Sequence, residues 1–370
     1  MIGFRVLVWW KSIDKTTLLT SIALLALGIM LVTSASPTIT RKIGFTNTFF
    51  IYKHIACVVV GIVVIFSLSA INIAELQKVI LVIFVLILTL LVYVHFFGYE
   101  TKGARRWVMF FGISLQPSEL LKPFFILVIS YFLSHKKRYV FGFCVAIFIT
   151  LIISSLLLFQ PDVGMTGVFM ITSGFMFFIN GMPVILCMLI FVSIFCTGVG
   201  AYVFLPYIAD RINRFLQSQH SYQISKAITS FRSGGLFGVG PGEGRIKEML
   251  PDSHTDFIFA VACEELGALS CAVIVFMFVL IIVRNFKYAV AADNQFHTLA
   301  ISGLTFSLGL QAAINIAVNL NMAPTKGMTL PFISCGGSSI LASSLSIGFL
   351  LSLTRSTIKT SRYSKQIFHF

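Results

Sequence analysis

Residues 75–97 read ELQKVILVIFVLILTLLVYVHFF, and after Lys78 the run carries no Lys, Arg, Asp or Glu. A helix needs about 20 mostly apolar residues to cross the hydrocarbon core of a bilayer, and this run supplies them. Outward from it, runs of the same kind lie at roughly 17–35, 49–69, 117–134, 140–159, 163–180, 183–207, 256–283, 296–320 and 338–354. The expectation is an all-α polytopic integral membrane protein of about ten transmembrane helices. It reads as a single membrane domain over residues 1–370 with one large external loop at 208–255.

Composition excludes a soluble enzyme. The chain is 57% hydrophobic and 11% charged, against about 45–50% apolar and about 25% charged in soluble domains. Lys and Arg number 27 against 13 Asp and Glu, a net charge of +14. On a soluble fold such an excess would point to nucleic acid. Here the bases sit between apolar runs, so the partners expected are a membrane surface and an anionic substrate, with no nucleic acid. Seven cysteines include no C-x-x-C pair and mostly lie within apolar runs. They read as core residues, supporting neither disulfides nor a metal site. The first run, ending at Ser34-Ala35-Ser36, reads as an uncleaved helix because its basic leader is long and the chain simply continues as membrane protein.

With the N-terminus inside, Lys and Arg divide evenly between the two sides, so orientation rests on the basic clusters at both termini and at 136–138. Both termini are then cytoplasmic. Nine of the external bases crowd into 98–116 and 208–255. Positive charge held on the translocated side suggests a function there. The second of these loops contains GGLFGVGPGEG (234–244). A phosphate-loop reading is disfavoured because no Gly-Lys-Ser/Thr follows and no strand precedes it. The glycines instead suit a tightly turned segment lying against the membrane, and a gating role fits them as well.

The polar motifs fall at helix starts on one side. Gln116-Pro117-Ser118-Glu119 opens the fourth span, Gln160-Pro161-Asp162 the sixth, His254-Thr255-Asp256 the eighth, and residues 330–339 lead into the tenth. Pro near the first helical position with an acid in the first turn is good helix-start chemistry. Glu119 and Lys122, at i and i+3, either clamp the fold as an ion pair or contact substrate. Asp162 reads as a cap before a catalyst. Trp107 suits either an interfacial belt or the rim of a groove. Glu264 and Glu265 are expected in buried hydrogen bonds, and Asn315 with Asn319 as interhelical glue. His254 either tunes Asp256 or caps its turn.

Together KGARRW (102–107), QPSELLK (116–122), QPDVG (160–164), the glycine loop, LPDSHTDFIFA (250–260), EELG (264–267) and PTKGMTLPFISCGGSS (324–339) resemble the SEDS family (shape, elongation, division and sporulation proteins) over nearly the whole chain. KGARRW, GPGEG at 240–244 and Lys247 are more similar to its cell-division than its elongation members. One departure is Cys335, where the family usually has Tyr. The resemblance implies a ten-helix peptidoglycan glycosyltransferase of the bacterial inner membrane that polymerises lipid II at the septum. Its partners would be a class B penicillin-binding protein, the division transpeptidase, and other divisome membrane proteins. The resemblance places the catalytic carboxylate at Asp256. Arg105, Arg106, Trp107, Glu119, Lys122, Lys247 and Ser338 are the substrate-binding residues expected. A carboxylate would take the acceptor hydroxyl's proton, and cations would stabilise the departing undecaprenyl pyrophosphate. The sequence assigns no metal ligands, and a divalent cation, Mg or Mn, is the one cofactor kept open. A lipid II flippase and a non-catalytic divisome scaffold are the rival readings.

Overall fold

In a computed structural model of the chain, residues 9–43, 48–101, 104–110, 113–135, 139–204, 206, 209–210, 213, 222–324 and 327–367 are described. The basic cluster at 136–138, Lys102, Arg211, Arg214 and Lys326 lie outside them. Each of the ten expected spans coincides with a helix: α1 Lys15–Ile43, α2 Phe49–Ala70, α3 Ile73–Phe97, α4 Pro117–Leu133, α5 Tyr139–Phe159, α6 Val163–Ile179, α7 Val184–Phe204, α9 Ile258–Val290, α10 Gln295–Asn319 and α11 Gly337–Ile367. Among the described residues, seven are both long and apolar enough to cross a bilayer. The 17 residues of α4 rise roughly 26 Å at 1.5 Å each. This short helix is buried along nearly its whole length, including Glu119 and Lys122.

Burial separates interior from rim. The apolar window of α11 is 78% buried and that of α10 61%, whereas α2 and α3 reach only 22% each and present their other faces outward. The bundle is therefore organised around α4, α10 and α11. Local signals set the helix starts: Asn72 accepts from the Ala74 N–H, Asn294 from Phe296 and Asp162 from Met165, each satisfying an orphan first-turn donor. Pro117 occupies the first turn of α4. Pro161 does not play that part in α6, since it precedes the cap Asp162.

Two features were not legible as secondary structure. The 98–116 connection contains a three-stranded antiparallel meander, β1 Tyr99–Thr101, β2 Ala104–Phe110 and β3 Ile113–Leu115, in the order β1-β2-β3. Tyr99 faces Trp107, and Val108 faces Leu115. The all-α reading stands with this small sheet added at the head of α4. Second, α9 is broken at Gly267, whose φ of 81° and ψ of 172° are non-helical. In the 208–255 segment, helix α8 (Tyr222–Gly234) buries Ile224, Ala227, Ser230 and Gly234, a 3–4 spacing that defines one face.

Candidate active site

The turn carrying Asp256 is held from three directions. Thr255 and Asp256 donate their N–H groups to the Asp252 carbonyl at 3.1 Å, closing the turn before α9. The carbonyls of three successive residues then accept from other elements. His254 O accepts from Cys335 N at 2.8 Å, and Thr255 O from Ser334 Oγ at 2.6 Å. Asp256 O accepts from the side-chain amides of Asn315 at 2.9 Å and Asn319 at 3.0 Å. The first-turn donor Ala260 N–H finds Asn319 Oδ1 at 3.2 Å, so α10 caps α9 from outside its own chain segment. The Asp256 side chain is half-buried. Gly327, at φ +63°, passes so close that a Cβ there would lie 3.4 Å from Asp256 Oδ2.

The starts of four helices meet at this end. Ser338 Oγ, at the head of α11, accepts from Gln116 N at 2.7 Å, and Gln116 Nε2 reaches Asp162 Oδ2 at 3.4 Å. One turn into α4, Lys122 Nζ lies 2.6 Å from Glu119 Oε2 and also donates to Gln311 Oε1. Gln311 Nε2 continues to Thr329 O at 3.2 Å, and Thr329 Oγ1 donates to Ser339 Oγ at 2.7 Å. The Glu119–Lys122 pair is thus wired into the residues that flank Gly327.

The sheet contributes differently from each of its three named residues. Arg105 is exposed and lies 3.5 Å from Glu100. Arg106 turns inward: its Nε donates to Gln160 O at 3.1 Å, a terminal nitrogen donates to Pro161 O, and NH1 lies 3.7 Å from Asp162 Oδ1. Trp107, with Tyr93, Phe97, Tyr99 and Arg105, lines a surface cleft of about 480 Å³. Arg106 therefore fastens the sheet to the α5–α6 turn. Arg106→Ala is expected to destabilise the protein by about 2 kcal/mol, as for charged hydrogen bonds, read by thermal unfolding in detergent. Arg106→Lys should recover little, because an ammonium lacks the planar fork that spans two carbonyls.

The glycine loop occupies the break in α9. In an unbroken helix the N–H groups of Ala268 and Leu269 would bond to the carbonyls of Glu264 and Glu265. Instead Glu264 O accepts from Val239 N at 2.9 Å and Glu265 O from Gly240 N at 3.0 Å, while Ala268 N donates to Gly235 O at 2.9 Å and Leu269 N to Leu236 O at 3.2 Å. These four backbone groups freed by the kink are re-satisfied by the loop. Below it, the Glu264 carboxylate accepts the N–H groups of Ile246 and Lys247 at 2.7 and 3.0 Å. Lys247 Nζ is buried against Glu265, Ser34 Oγ and Gly242 O. Both glutamates are in the buried hydrogen bonds expected of them. Lys247→Met should cost about 3 kcal/mol, because it strands a buried carboxylate. Lys247→Met with Glu265→Gln should unfold at a higher temperature than Lys247→Met alone.

Of the residues expected at the site, Glu119, Lys122, Ser338 and Asp256 belong to one hydrogen-bonded assembly at the helix starts. Lys247 and Arg106 direct their donors into the protein. Gln311 and Ser334 join the assembly from outside the expected set: Ser334 lies within PTKGMTLPFISCGGSS (324–339), whereas the sequence marks Gln311, one turn before Asn315, only as an amide in an apolar run. Desolvation pushes the Cys335 thiol up to about 12, so it stays protonated at neutral pH and is no nucleophile. Among the described residues no three of His, Cys, Asp and Glu converge on a position that could hold a metal ion.

The family described as "Cell cycle protein", comprising FtsW, RodA and SpoVE, matches residues 15–359. A probable peptidoglycan glycosyltransferase FtsW of Caulobacter vibrioides is 37% identical over 353 residues, covering 94% of this chain and 90% of that protein. Its counterpart in Coxiella burnetii is 34% identical, covering 94% and 97%. Among solved structures, one described as "Structural coordination of polymerization and crosslinking by a peptidoglycan synthase complex" aligns with a TM-score of 0.79 at 26% identity, covering 93% of this chain and 98% of that one. The rod shape determining protein RodA of Thermus thermophilus aligns with a TM-score of 0.71 at 26% identity, covering 94% and 98%. With the match running almost end to end, the chain belongs to the FtsW/RodA/SpoVE family of multi-pass membrane proteins.

Proposed function

We propose that this protein is a peptidoglycan glycosyltransferase that polymerises lipid II, with Asp256 as its general base. The observation that carries the reading is the half-buried Asp256 carboxylate on a backbone anchored at three consecutive carbonyls, where four helix starts converge. A sugar hydroxyl is a poor nucleophile at neutral pH, and a fixed carboxylate within hydrogen-bond reach removes its proton as it attacks. The new C–O bond forms at the donor's anomeric carbon as the bond to pyrophosphate breaks. In-line displacement inverts that carbon, and undecaprenyl pyrophosphate leaves with the electron pair.

Negative charge grows on the departing phosphate oxygens, which cations positioned beforehand stabilise. Arg105, exposed on the sheet beside the cleft that Trp107 lines, is the cation assigned to meet them. Trp107 supplies an aromatic wall beside it. Lys122, with Glu119, acts from within the bundle by fixing the residues around Gly327, and Ser338 holds the head of α4. Arg106 and Lys247 hold the sheet and the glycine loop. A divalent cation, Mg or Mn, is an alternative carrier of the leaving-group charge.

The protein works at the division septum in the inner membrane, its termini cytoplasmic and the sheet and 208–255 loop external. Its partners are a class B penicillin-binding protein and further divisome membrane proteins. The described coupling of polymerisation to crosslinking in a structural relative supports the first of these. The test is reconstitution in vesicles with lipid II carrying a labelled sugar, alongside the cognate transpeptidase. Undecaprenyl pyrophosphate release with growth of glycan chains is expected. Movement of labelled lipid across the bilayer without polymer would favour a flippase, and neither product would favour a scaffold.

A further inference from the structure

Helix α10 carries three amides one turn apart, Gln311, Asn315 and Asn319, each buried to within 4% of full enclosure. Residues at i, i+4 and i+8 share a helix face, so the three form a ladder. Its rungs connect groups that lie far apart in sequence. Gln311 accepts from Lys122 Nζ and donates to Thr329 O. The two hydrogens of Asn315 Nδ2 go to Asp256 O at 2.9 Å and Met328 O at 2.6 Å. Asn319 donates to Asp256 O and to Asn315, and its oxygen receives the Ala260 N–H at 3.2 Å.

Asn315 therefore bonds both walls of the space beside the carboxylate: the backbone that bears Asp256, and the 327–329 segment whose Gly327 lies against Asp256 Oδ2. A buried amide whose donors are all used is costly to replace with an apolar group, because two carbonyls lose their partners together. Packing alone needs no amide here; Leu would fill the volume.

The geometry points to Asn315 and Asn319 as positioning residues for the glycosyl transfer, setting the distance between the Asp256 carboxylate and the facing 327–329 wall, with Gln311 tying that wall to Lys122. The inference rests on Asp256 being the base. Displacement of a reacting group by about 1 Å costs on the order of a hundredfold in rate. Asn315 touches no reacting atom, so its loss falls on kcat and leaves substrate binding alone.

The experiment compares wild type, Asn315→Leu, Asn319→Leu and Gln311→Leu in lipid II polymerisation, with thermal unfolding of each in detergent. Asn315→Leu is expected to lower kcat about thirtyfold with KM within about twofold, and Gln311→Leu to lower it less. In an Asp256→Ala background, Asn315→Leu should leave the residual rate unchanged. If Asn315→Leu does not fold, Asn315→Ser, which cannot span both carbonyls, replaces it with the same expectation. Unchanged kcat in a folded variant, a loss that follows only the folded fraction, or an equal loss on top of Asp256→Ala would each overturn the ladder's role. Full activity of Asp256→Ala alone would instead remove the base on which it rests.

Discussion

Gly267→Ala is expected to leave little folded protein. A Cβ at this position would lie 2.3 Å from Leu236 O and 2.5 Å from Gly238 N, both backbone atoms that cannot rotate aside. Its φ of 81° and ψ of 172° fall in a region essentially confined to glycine. Backbone strain of 1–3 kcal/mol and an overpacking cost of similar size add to the loss of loop hydrogen bonds, for a total of about 5 kcal/mol. The control is Gly167→Ala in α6, where an added Cβ meets nothing within 4 Å and helix propensity favours alanine. Thermal unfolding in detergent distinguishes them: Gly267→Ala should fail to accumulate or melt far below wild type, and Gly167→Ala should melt at or above it. Equal melting of Gly267→Ala and wild type would show that the loop does not occupy the break in solution.

The same region shows what sequence could and could not convey. Apolar runs mark helices directly, because a bilayer requires uninterrupted apolar length, and the run at 75–97 needed no context to be read. The break at Gly267 had no local signal. Glycine inside a helical pattern is tolerated often enough that only the loop at 235–240, about thirty residues upstream, explains it. The sheet at 99–115 was equally obscure. Its strands are short, and no periodicity of 2 announces their pairing.

At the site, the residue types were legible and their partners were not. Glu119 and Lys122 could be paired from their spacing, since i and i+3 side chains meet on a helix. Arg106 and Arg105 are neighbours in sequence, yet alternate faces of a strand send one inward to Asp162 and leave the other exposed. Lys247 reads as one more cation of a basic loop, and only the fold sets it against Glu265. The three carbonyl anchors of the 254–256 turn come from α10 and the segment before α11, which spacing along the chain cannot relate.

Asp256 carries the largest expected effect on activity. Its backbone contacts run through carbonyl and N–H groups that a change of side chain leaves in place, so Asp256→Asn should fold, melt close to wild type and bind lipid II. An amide cannot accept the hydroxyl proton at neutral pH. General-base catalysis contributes about 10²–10⁴-fold, and a loss of this size in polymerisation rate is expected with no comparable change in KM. A scaffold would tolerate the substitution, and a flippase lacking base chemistry would keep moving lipid. The most direct measurement is the initial rate of polymerisation of labelled lipid II by wild type and Asp256→Asn, each reconstituted with the cognate transpeptidase at equal folded amount. Wild type should extend glycan strands and release undecaprenyl pyrophosphate while Asp256→Asn is slowed at least about a hundredfold; strands made by Asp256→Asn at the wild-type rate would contradict the assignment of Asp256 as the base.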